Sequence, residues 1–422
     1  MKKISAIFFS AFILVSSALC AFAAAPDEIA ALKGTTLYVY NWGEYISDGA
    51  DDTLDVNKAF EEKYGINVVY DTFDNNEVMY SKLKSGGVSY DVVIPSDYMV
   101  QRMINEGMLE KLDFSNIPNF EKYIPEKYLN PSYDPKNEYS VPYTVGMVGL
   151  IYNSAMVDGV PESWSALWDK QYAGQILMFN NPRDAFGIAQ NLLGMDYNTE
   201  SEMSWKLAAE LLKEQKQVTP VYVNDEIFLK METGEAAFGA YYAGDFLTMK
   251  DNNPDLEFVY PKEGTNYFVD AMCVLKGSQN KLAAELYINF LLEPDVALAN
   301  AEYICYASPH TAVYTNPEYT YFGNEILYPE DGKFKTQSYL NLSPETLELM
   351  SSLWDDVKNH NIDEGGSNYD FFFADGELGA AAGGDVLTPE GAKYLVYILA
   401  FAAICIAYII FRYVRKKIRE NA

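Results

Sequence analysis

The chain has 422 residues, 49% hydrophobic and 22% charged, which is typical of a folded protein with a sizeable core. A chain of this length usually forms two or more structural units. The formal net charge of −29 disfavours a nucleic-acid partner, because phosphate backbones need neutralising Lys and Arg residues. The two histidines and four cysteines form no zinc-ligand or CxxC spacing, so we predict no metal and no cofactor.

Residues 1–23 have the pattern of a secretory signal peptide. Lys2 and Lys3 precede an apolar run, and small residues ending at Ala23 supply the cleavage site. An uncleaved membrane anchor is the alternative, and the shortness of the apolar run argues against it. Cys20 raises the alternative of a lipoprotein, which Leu19 disfavours because a lipobox has a small residue there. The mature protein is therefore expected outside the cytoplasm.

The C-terminal region predicts one transmembrane helix over residues 392–413. Residues 394–411 carry no charge, and at about 1.5 Å per residue a helix of this length spans roughly 27 Å. Arg412 and the basic tail 414–422 follow, and the positive-inside rule places them in the cytoplasm. The Gly-rich residues 361–391 before this helix are predicted to form a flexible linker.

The region between the two basic ends is more acidic than the chain as a whole. Such charge keeps a surface solvated, and it also concentrates cations near the protein. A cationic ligand is therefore favoured.

Apolar runs alternate with helical patterns along this region and predict an α/β fold with parallel sheets. The predicted strands cover residues 37–41, 66–72, 91–96, 148–153, 175–179 and 236–242, and helices are predicted near 77–83, 184–193 and 204–217. Ligands of open α/β sheets bind beyond the carboxyl ends of the strands. That rule selects the residues expected after strands, namely 41–45, 95–98, 181–184, 242–245 and 268–270.

Four of these five segments combine an aromatic residue with a carboxylate. Aromatic faces attract alkylammonium groups, and carboxylates accept charge-assisted hydrogen bonds from them. The combination favours a slim apolar ligand with an ammonium group at each end. In the alternative interpretation, the aromatic residues belong to the core and the acids cap helices.

Segments such as LYVYNWGEYI, SYDVVIPSDYMV, YSVPYTVG and INFLLEPDVALANAE resemble extracytoplasmic polyamine-binding proteins, the spermidine/putrescine receptors of ABC importers. The resemblance implies a two-lobe periplasmic-binding-protein fold of type II, with hinge crossovers and closure around the ligand. Lobe 1 is expected over 36–147 and 270–320, and lobe 2 over 148–269 and 321–360. It also implies a monomeric ectodomain that delivers a polyamine to an ABC permease and its ATPase.

The resemblance places the ligand residues on matching positions of this chain. They are Trp42, Gly43, Glu44, Tyr45, Ser96, Tyr98, Asn181, Asp184, Tyr242, Asp245, Phe268, Asp270 and Tyr306. The resemblance implies that Asp270 holds one amino group, while Glu44 and Asp184 are expected to hold the other.

The chain departs from the family at several of these positions. Asn181 replaces an aspartate of the spermidine receptors, and Asp245 resembles the putrescine receptors, which together favour a diamine. Tyr242 and Phe268 stand where tryptophans usually stack on the methylene chain. The C-terminal membrane helix is a further departure, and it favours a tethered receptor of a cell with a single membrane.

Three points stay open from the sequence. Cys273 and Cys305 are compatible with a disulfide or with two buried thiols. Asp97 has no assigned role, and the counterpart of a late family glutamine is Gln337 or Tyr339.

The alternatives to a transport receptor are a membrane-tethered polyamine sensor or a receptor for another small organic cation. An enzyme is not expected, because no nucleophile and base stand at a known spacing.

Overall fold

The computed structural model describes residues 24–87, 89–361 and 369–373. It divides into two units, which cover the described residues of Met1–Val145 with Val269–Gly323 (unit 1) and of Gly146–Phe268 with Asn324–Ala422 (unit 2). The predicted signal peptide (1–23), transmembrane helix (392–413) and basic tail (414–422) lie outside the described residues. Within the described ranges, no helix is both long and apolar enough to cross a membrane.

Unit 1 alternates strands and helices in its N-terminal part and ends in helices. Its strands are β1 Thr36–Trp42, β2 Asn67–Phe73, β3 Val92–Val93, the first part of β4 Ser140–Asn153 and the last part of β9 Thr265–Val274. Its helices are α1 Pro26–Ala30, α2 Val56–Tyr64, α3 Asn76–Lys84, α4 Asp97–Asn105, α5 Pro118–Tyr123, α10 Lys281–Leu291, α11 Pro294–Ile304 and α12 Thr311–Tyr314.

The sheet of unit 1 has the strand order β2-β1-β3-β9. Strand β1 pairs in parallel with β2 and β3, whereas β9 is antiparallel to β3. The prediction of a parallel sheet is therefore wrong for the pairing of β9 with β3. Leu37 and Val39 alternate with the exposed Tyr38, which is the pattern of a strand with one buried face. Asp55 caps α2 by accepting a hydrogen bond from the Lys58 N–H.

Unit 2 contains the remaining elements. Its strands are the last part of β4, β5 Ile176–Phe179, β6 Val221–Val223, β7 Phe238–Tyr242, β8 Leu256–Val259, the first part of β9 and β10 Thr336–Gln337. Its helices are α6 Pro182–Leu192, α7 Glu202–Gln215, α8 Glu226–Glu232, α9 Ala243–Asn252, α13 Pro344–Asn359 and α14 Tyr369–Phe372. Short 3₁₀ helices lie at Trp164–Trp168 and Lys170–Tyr172, and in unit 1 at Ala50–Asp52, Phe114–Asn116 and Glu126–Tyr128.

The sheet of unit 2 is also mixed. Its order is β4-β7-β5-β6; β5 is parallel to β6 and β7, while β7 and β8 are antiparallel to β4. Its core includes the fully buried indoles of Trp164, Trp168 and Trp205. Burying such large side chains removes much apolar surface from water and stabilises the unit.

Strands β4 and β9 are long because each continues from one unit into the other. The chain passes between units after Val145 and again after Phe268, inside these strands. Asp270 therefore lies in the middle of β9, and the prediction that it follows the end of a strand is wrong. The sequence pattern there is a nearly continuous buried run, which does not mark a strand end.

Residues 369–373, which fall within the predicted flexible linker, pack on unit 2. Phe372 and Phe373 are buried in its core, and the Tyr369 hydroxyl donates a hydrogen bond of 2.9 Å to the Trp168 carbonyl. The Lys170 ammonium lies 3.6 Å from the centroid of the Tyr369 ring. These contacts give five residues beyond α13 a defined position.

Gly149 on β4 leaves the space that the Phe258 ring of β8 occupies. A Cβ at Gly149 would lie 2.0 Å from that ring, so we expect Gly149→Ala to lower the free energy of unfolding by about 1–3 kcal/mol. Urea denaturation measures this change. Gly87→Ala is the control, because Gly87 is exposed and a Cβ there would meet no atom within 4 Å. Equal stability of the two variants would contradict the packing.

Candidate functional site

A buried carboxylate is the centre of the candidate site in unit 1. The Asp270 side chain is 3% exposed, and the Ser96 hydroxyl donates to its Oδ1 at 2.6 Å. The Tyr45 hydroxyl donates to Oδ2 at 2.7 Å, and Thr144 Oγ1 lies 3.4 Å from the same oxygen. Thr144 Oγ1 is also 2.6 Å from the Tyr45 hydroxyl, so it can donate to Tyr45 while Tyr45 donates to the acid. Three neutral hydroxyl groups thus surround one carboxylate.

Local structure places Ser96 against Asp270. Ser96 directly precedes α4 and forms an isolated antiparallel bridge with Asp270, next to a hydrogen bond of 3.0 Å from the Ala271 N–H to the Pro95 carbonyl. Asn76 at the start of α3 donates from Nδ2 to Ser96 Oγ at 3.1 Å and accepts from the Ser96 N–H at 3.2 Å. Both the backbone and the hydroxyl of Ser96 are therefore held in place.

The electrostatics of this cluster follow from its burial. Burial raises the pKa of Asp270 to about 6, while the hydrogen bonds from Ser96, Tyr45 and Thr144 act in the opposite direction. Burial also raises the pKa of Tyr45 well above its ordinary value, so this phenol stays neutral and remains a donor. Within the described part of the chain, no Lys, Arg or His forms an ion pair with Asp270.

Aromatic rings surround the same hydroxyl network. The Tyr306 ring packs edge-on against Tyr45, with centroids 5.1 Å apart, and the Tyr143 hydroxyl donates to the Tyr45 carbonyl at 2.8 Å. Trp42 at the end of β1 packs against Phe73 with centroids 4.6 Å apart. The Trp42 Nε1 is buried without a hydrogen-bond partner among the described residues. Trp42, Tyr45 and Tyr306 are thus brought together by β1 and the segment after α11.

Four other positions of unit 1, predicted or left open by the sequence, are described apart from the hydroxyl groups around Asp270. Gly43 and Glu44 are exposed, and Glu44 has a left-handed backbone with φ 51°. The Tyr98 hydroxyl donates to Glu77 Oε1 at 2.9 Å rather than to Asp270. Asp97 is buried and accepts hydrogen bonds from the backbone, including the Tyr98 N–H at 2.7 Å. A structural role at the start of α4 explains Asp97.

Unit 2 carries a second buried carboxylate, Asp184, in the first turn of α6. Asn181 Nδ2 donates to Asp184 Oδ2 at 2.8 Å, and the Tyr242 hydroxyl donates to the same oxygen at 2.7 Å. Burial raises the pKa of Tyr339 well above its ordinary value, and the nearby charge of Asp184 contributes to this shift. Asn181 additionally caps α6, because its Oδ1 accepts from the Arg183 N–H at 3.0 Å. Neutral donors thus hold this carboxylate as well.

The remaining predicted or open positions of unit 2 have partners other than Asp184. Phe268 packs edge-on against Tyr242, with centroids 5.5 Å apart, in space that Gly146 leaves open. Asp245 is half-buried in the first turn of α9, and together with burial it raises the pKa of Tyr241. Gln337 lies on β10, where its Nε2 donates to Asp196 at 2.6 Å.

Sequence reasoning missed three members of the two clusters. Thr144 lies in the YSVPYTVG segment and Asn76 in the NNEVMY segment, and both are ordinary polar residues within regular elements. Tyr339 was only one of two alternatives. No local signal marks these residues, because Thr144 and Tyr339 lie near their carboxylates, and Asn76 bonds to Ser96, through contacts distant in sequence.

The sequence left open whether Cys273 and Cys305 form a disulfide or are two buried thiols. Cys273 and Cys305 are both buried, and neither forms a disulfide within the described part of the chain. Cys273 lies on β9 and Cys305 directly follows α11.

Comparison with known proteins places the chain in a family. The family described as bacterial extracellular solute-binding protein matches residues 89–321. The chain is 36% identical over 299 residues to the spermidine/putrescine-binding periplasmic protein of Salmonella typhimurium, covering 70% of this chain and 83% of that protein. It is 28% identical to the putrescine-binding periplasmic protein PotF of Escherichia coli, covering 78% and 93%.

A solved structure agrees with these matches. The spermidine/putrescine ABC transporter substrate-binding protein PotD from Streptococcus pneumoniae is 35% identical to this chain, with a TM-score of 0.66 and coverage of 77% of this chain and 98% of that one. The comparisons confirm the resemblance drawn from the sequence, the two-lobe α/β fold of periplasmic-binding proteins and a binding rather than an enzymatic role. The chain belongs to the bacterial extracellular solute-binding proteins.

Proposed function

We propose that the chain binds an aliphatic polyamine outside the cytoplasm and delivers it to the permease and ATPase of an ABC importer. Relatives at 28% and 36% identity carry names that include putrescine or spermidine. The observation that carries the proposal is Asp270, a buried carboxylate held by neutral hydroxyl groups. A buried charge is costly without a counter-ion, and a ligand ammonium group is the counter-ion that this cluster lacks.

The cluster around Asp184 has the same chemistry, and we propose that it also accepts an ammonium group. Aromatic rings line both carboxylates: Tyr45 and Tyr306 in unit 1, and Tyr242 and Phe268 in unit 2. Such rings attract alkylammonium groups and pack against methylene chains. A ligand with terminal ammonium groups and an apolar stem meets both requirements.

Asn181 supports a diamine as the preferred ligand. Its side-chain amide donates to Asp184, so it fixes the acid but adds no second negative charge. Two single carboxylates match the two ammonium groups of putrescine or cadaverine. Spermidine carries a third ammonium group that would need a further acceptor.

Calorimetric titration of the purified chain tests the ligand. We expect one-to-one binding of putrescine or cadaverine, weaker binding of spermidine and spermine, and no binding of betaine or an amino acid. Asp270→Asn should weaken binding more than tenfold, because hydrogen bonds to charged groups contribute about 1.5–3 kcal/mol. The control Glu257→Gln should bind normally, since Glu257 is a partly exposed acid paired with Lys250.

Silence with every polyamine would overturn the proposed ligand while leaving the family assignment intact. Unchanged affinity of Asp270→Asn would remove Asp270 from the site.

Binding should weaken in acid. Because the pKa of Asp270 is about 6 in the free protein, most molecules carry a neutral Asp270 at pH 5 and an ionised one at pH 7.5. Alkylammonium groups remain protonated over this range. Stabilisation by the ionised acid is therefore lost as the pH falls through 6, and we expect about tenfold weaker binding at pH 5 than at pH 7.5. Titration at both pH values measures this, and Asp270→Asn should respond less; equal affinities of the unchanged chain would contradict the prediction.

We further propose that a C-terminal transmembrane helix over residues 392–413 tethers a monomeric receptor to the outer face of the cell membrane. The support is the uncharged run 394–411 followed by a basic cluster.

Fractionation tests the tether. The full chain should sediment with membranes, whereas a chain ending at residue 391 should be recovered in the soluble extracytoplasmic fraction. Polyamine binding by the shortened chain is the control for its folding. Recovery of the full chain in the soluble fraction would refute the tether.

A further inference from the structure

Gly187 and Tyr339 form a matched pair in unit 2. A Cβ at Gly187 would lie 2.2 Å from the Tyr339 hydroxyl oxygen and 3.1 Å from its Cζ. The phenol therefore occupies the space that any larger residue at position 187 would fill. Gly187 lies inside α6, where glycine costs about 0.5–1 kcal/mol relative to alanine. Its presence at this position is explained by the phenol rather than by backbone conformation.

The geometry of α6 connects this pair to the carboxylate. Asp184 and Gly187 are three residues apart, so they lie on the same face of the helix. A phenol packed over Gly187 is thereby brought close to Asp184, and the charge of this acid helps burial to raise the pKa of Tyr339. Gly187 and Asp184 therefore lie on the face of α6 that the Tyr339 phenol covers.

Neighbouring groups hold the Tyr339 ring. The side chain is 5% exposed, its ring centroid lies 5.4 Å from that of Tyr197, and the Arg183 guanidinium carbon is 4.5 Å from it. Arg183 is itself fixed, because it donates to the carbonyl oxygens of Tyr197 and Leu340 at 3.1 Å each. The phenol has little freedom to move away from the helix.

We infer that Tyr339, seated on Gly187, is a positioning residue that sets the orientation of the Asp184 carboxylate for the ligand ammonium group. This inference rests on the proposed function. Asn181 and Tyr242 both donate to Oδ2 of Asp184, and Tyr339 adds a nearby phenol from another segment of the chain. A carboxylate held by several donors loses little freedom when a ligand binds, so its contribution to affinity is larger.

A double-mutant cycle on the full chain tests the inference by calorimetric titration with putrescine. Tyr339→Phe should weaken binding about tenfold, because it removes a hydroxyl close to a charged group and retains the ring. Gly187→Ala should weaken binding by a similar factor, because its methyl group displaces the hydroxyl. In the Tyr339→Phe background, Gly187→Ala should have little further effect. The control Tyr260→Phe removes a buried hydroxyl of unit 2 that donates to the Ile326 carbonyl, and it should leave affinity unchanged.

Urea denaturation of the ligand-free variants separates positioning from stability. Normal affinity of Tyr339→Phe, or independent effects of the two changes on affinity, would overturn the inference, as would a stability loss without an affinity loss. If the unchanged chain binds no polyamine, the proposed function fails on its own. The ligand-free cycle then decides the contact: Gly187→Ala should destabilise the unchanged chain more than the Tyr339→Phe chain, and additive effects would overturn it.

Discussion

The buried carboxylate of Asp270 is the constraint on which the rest of the site depends. An ionised acid away from water needs either a counter-ion or several hydrogen-bond donors. This chain supplies hydroxyl donors from Ser96, Tyr45 and Thr144. The donors make the ionised form accessible near neutral pH, and they leave the net charge for a cation to neutralise. A built-in lysine would satisfy the acid permanently and would exclude a ligand ammonium group.

Unit 2 repeats this chemistry with different residues. Asp184 is buried and receives hydrogen bonds from the Asn181 amide and the Tyr242 phenol. A phenol serves as both donor and ring surface, which explains how tyrosines hold both buried carboxylates without adding a charge to either cluster. Asn181 has a double role, because one end of its amide caps α6 and the other holds Asp184.

The long strands β4 and β9 connect the chemistry of the two units through the chain itself. On β9, Phe268 packs in unit 2 while Asp270, two residues later, belongs to unit 1. On β4, Thr144 contacts the Asp270 cluster and Gly146 leaves space for Phe268. Residues with separate roles therefore follow one another along the same strands.

The sequence by itself determined the family, the α/β class and the aromatic and acidic residues of both clusters, because these are encoded in local motifs and in periodicity. It identified Tyr45, Ser96 and Asp270, and likewise Asn181, Asp184 and Tyr242. The mixed direction of the sheets and the position of Asp270 inside β9 were decided by tertiary structure, since strand pairing joins segments that are distant in sequence. The same reason applies to Asn76, Thr144 and Tyr339: a polar side chain acquires its role only from the groups that folding places beside it. Glu44 shows the converse, because its motif matches the family while its side chain is exposed.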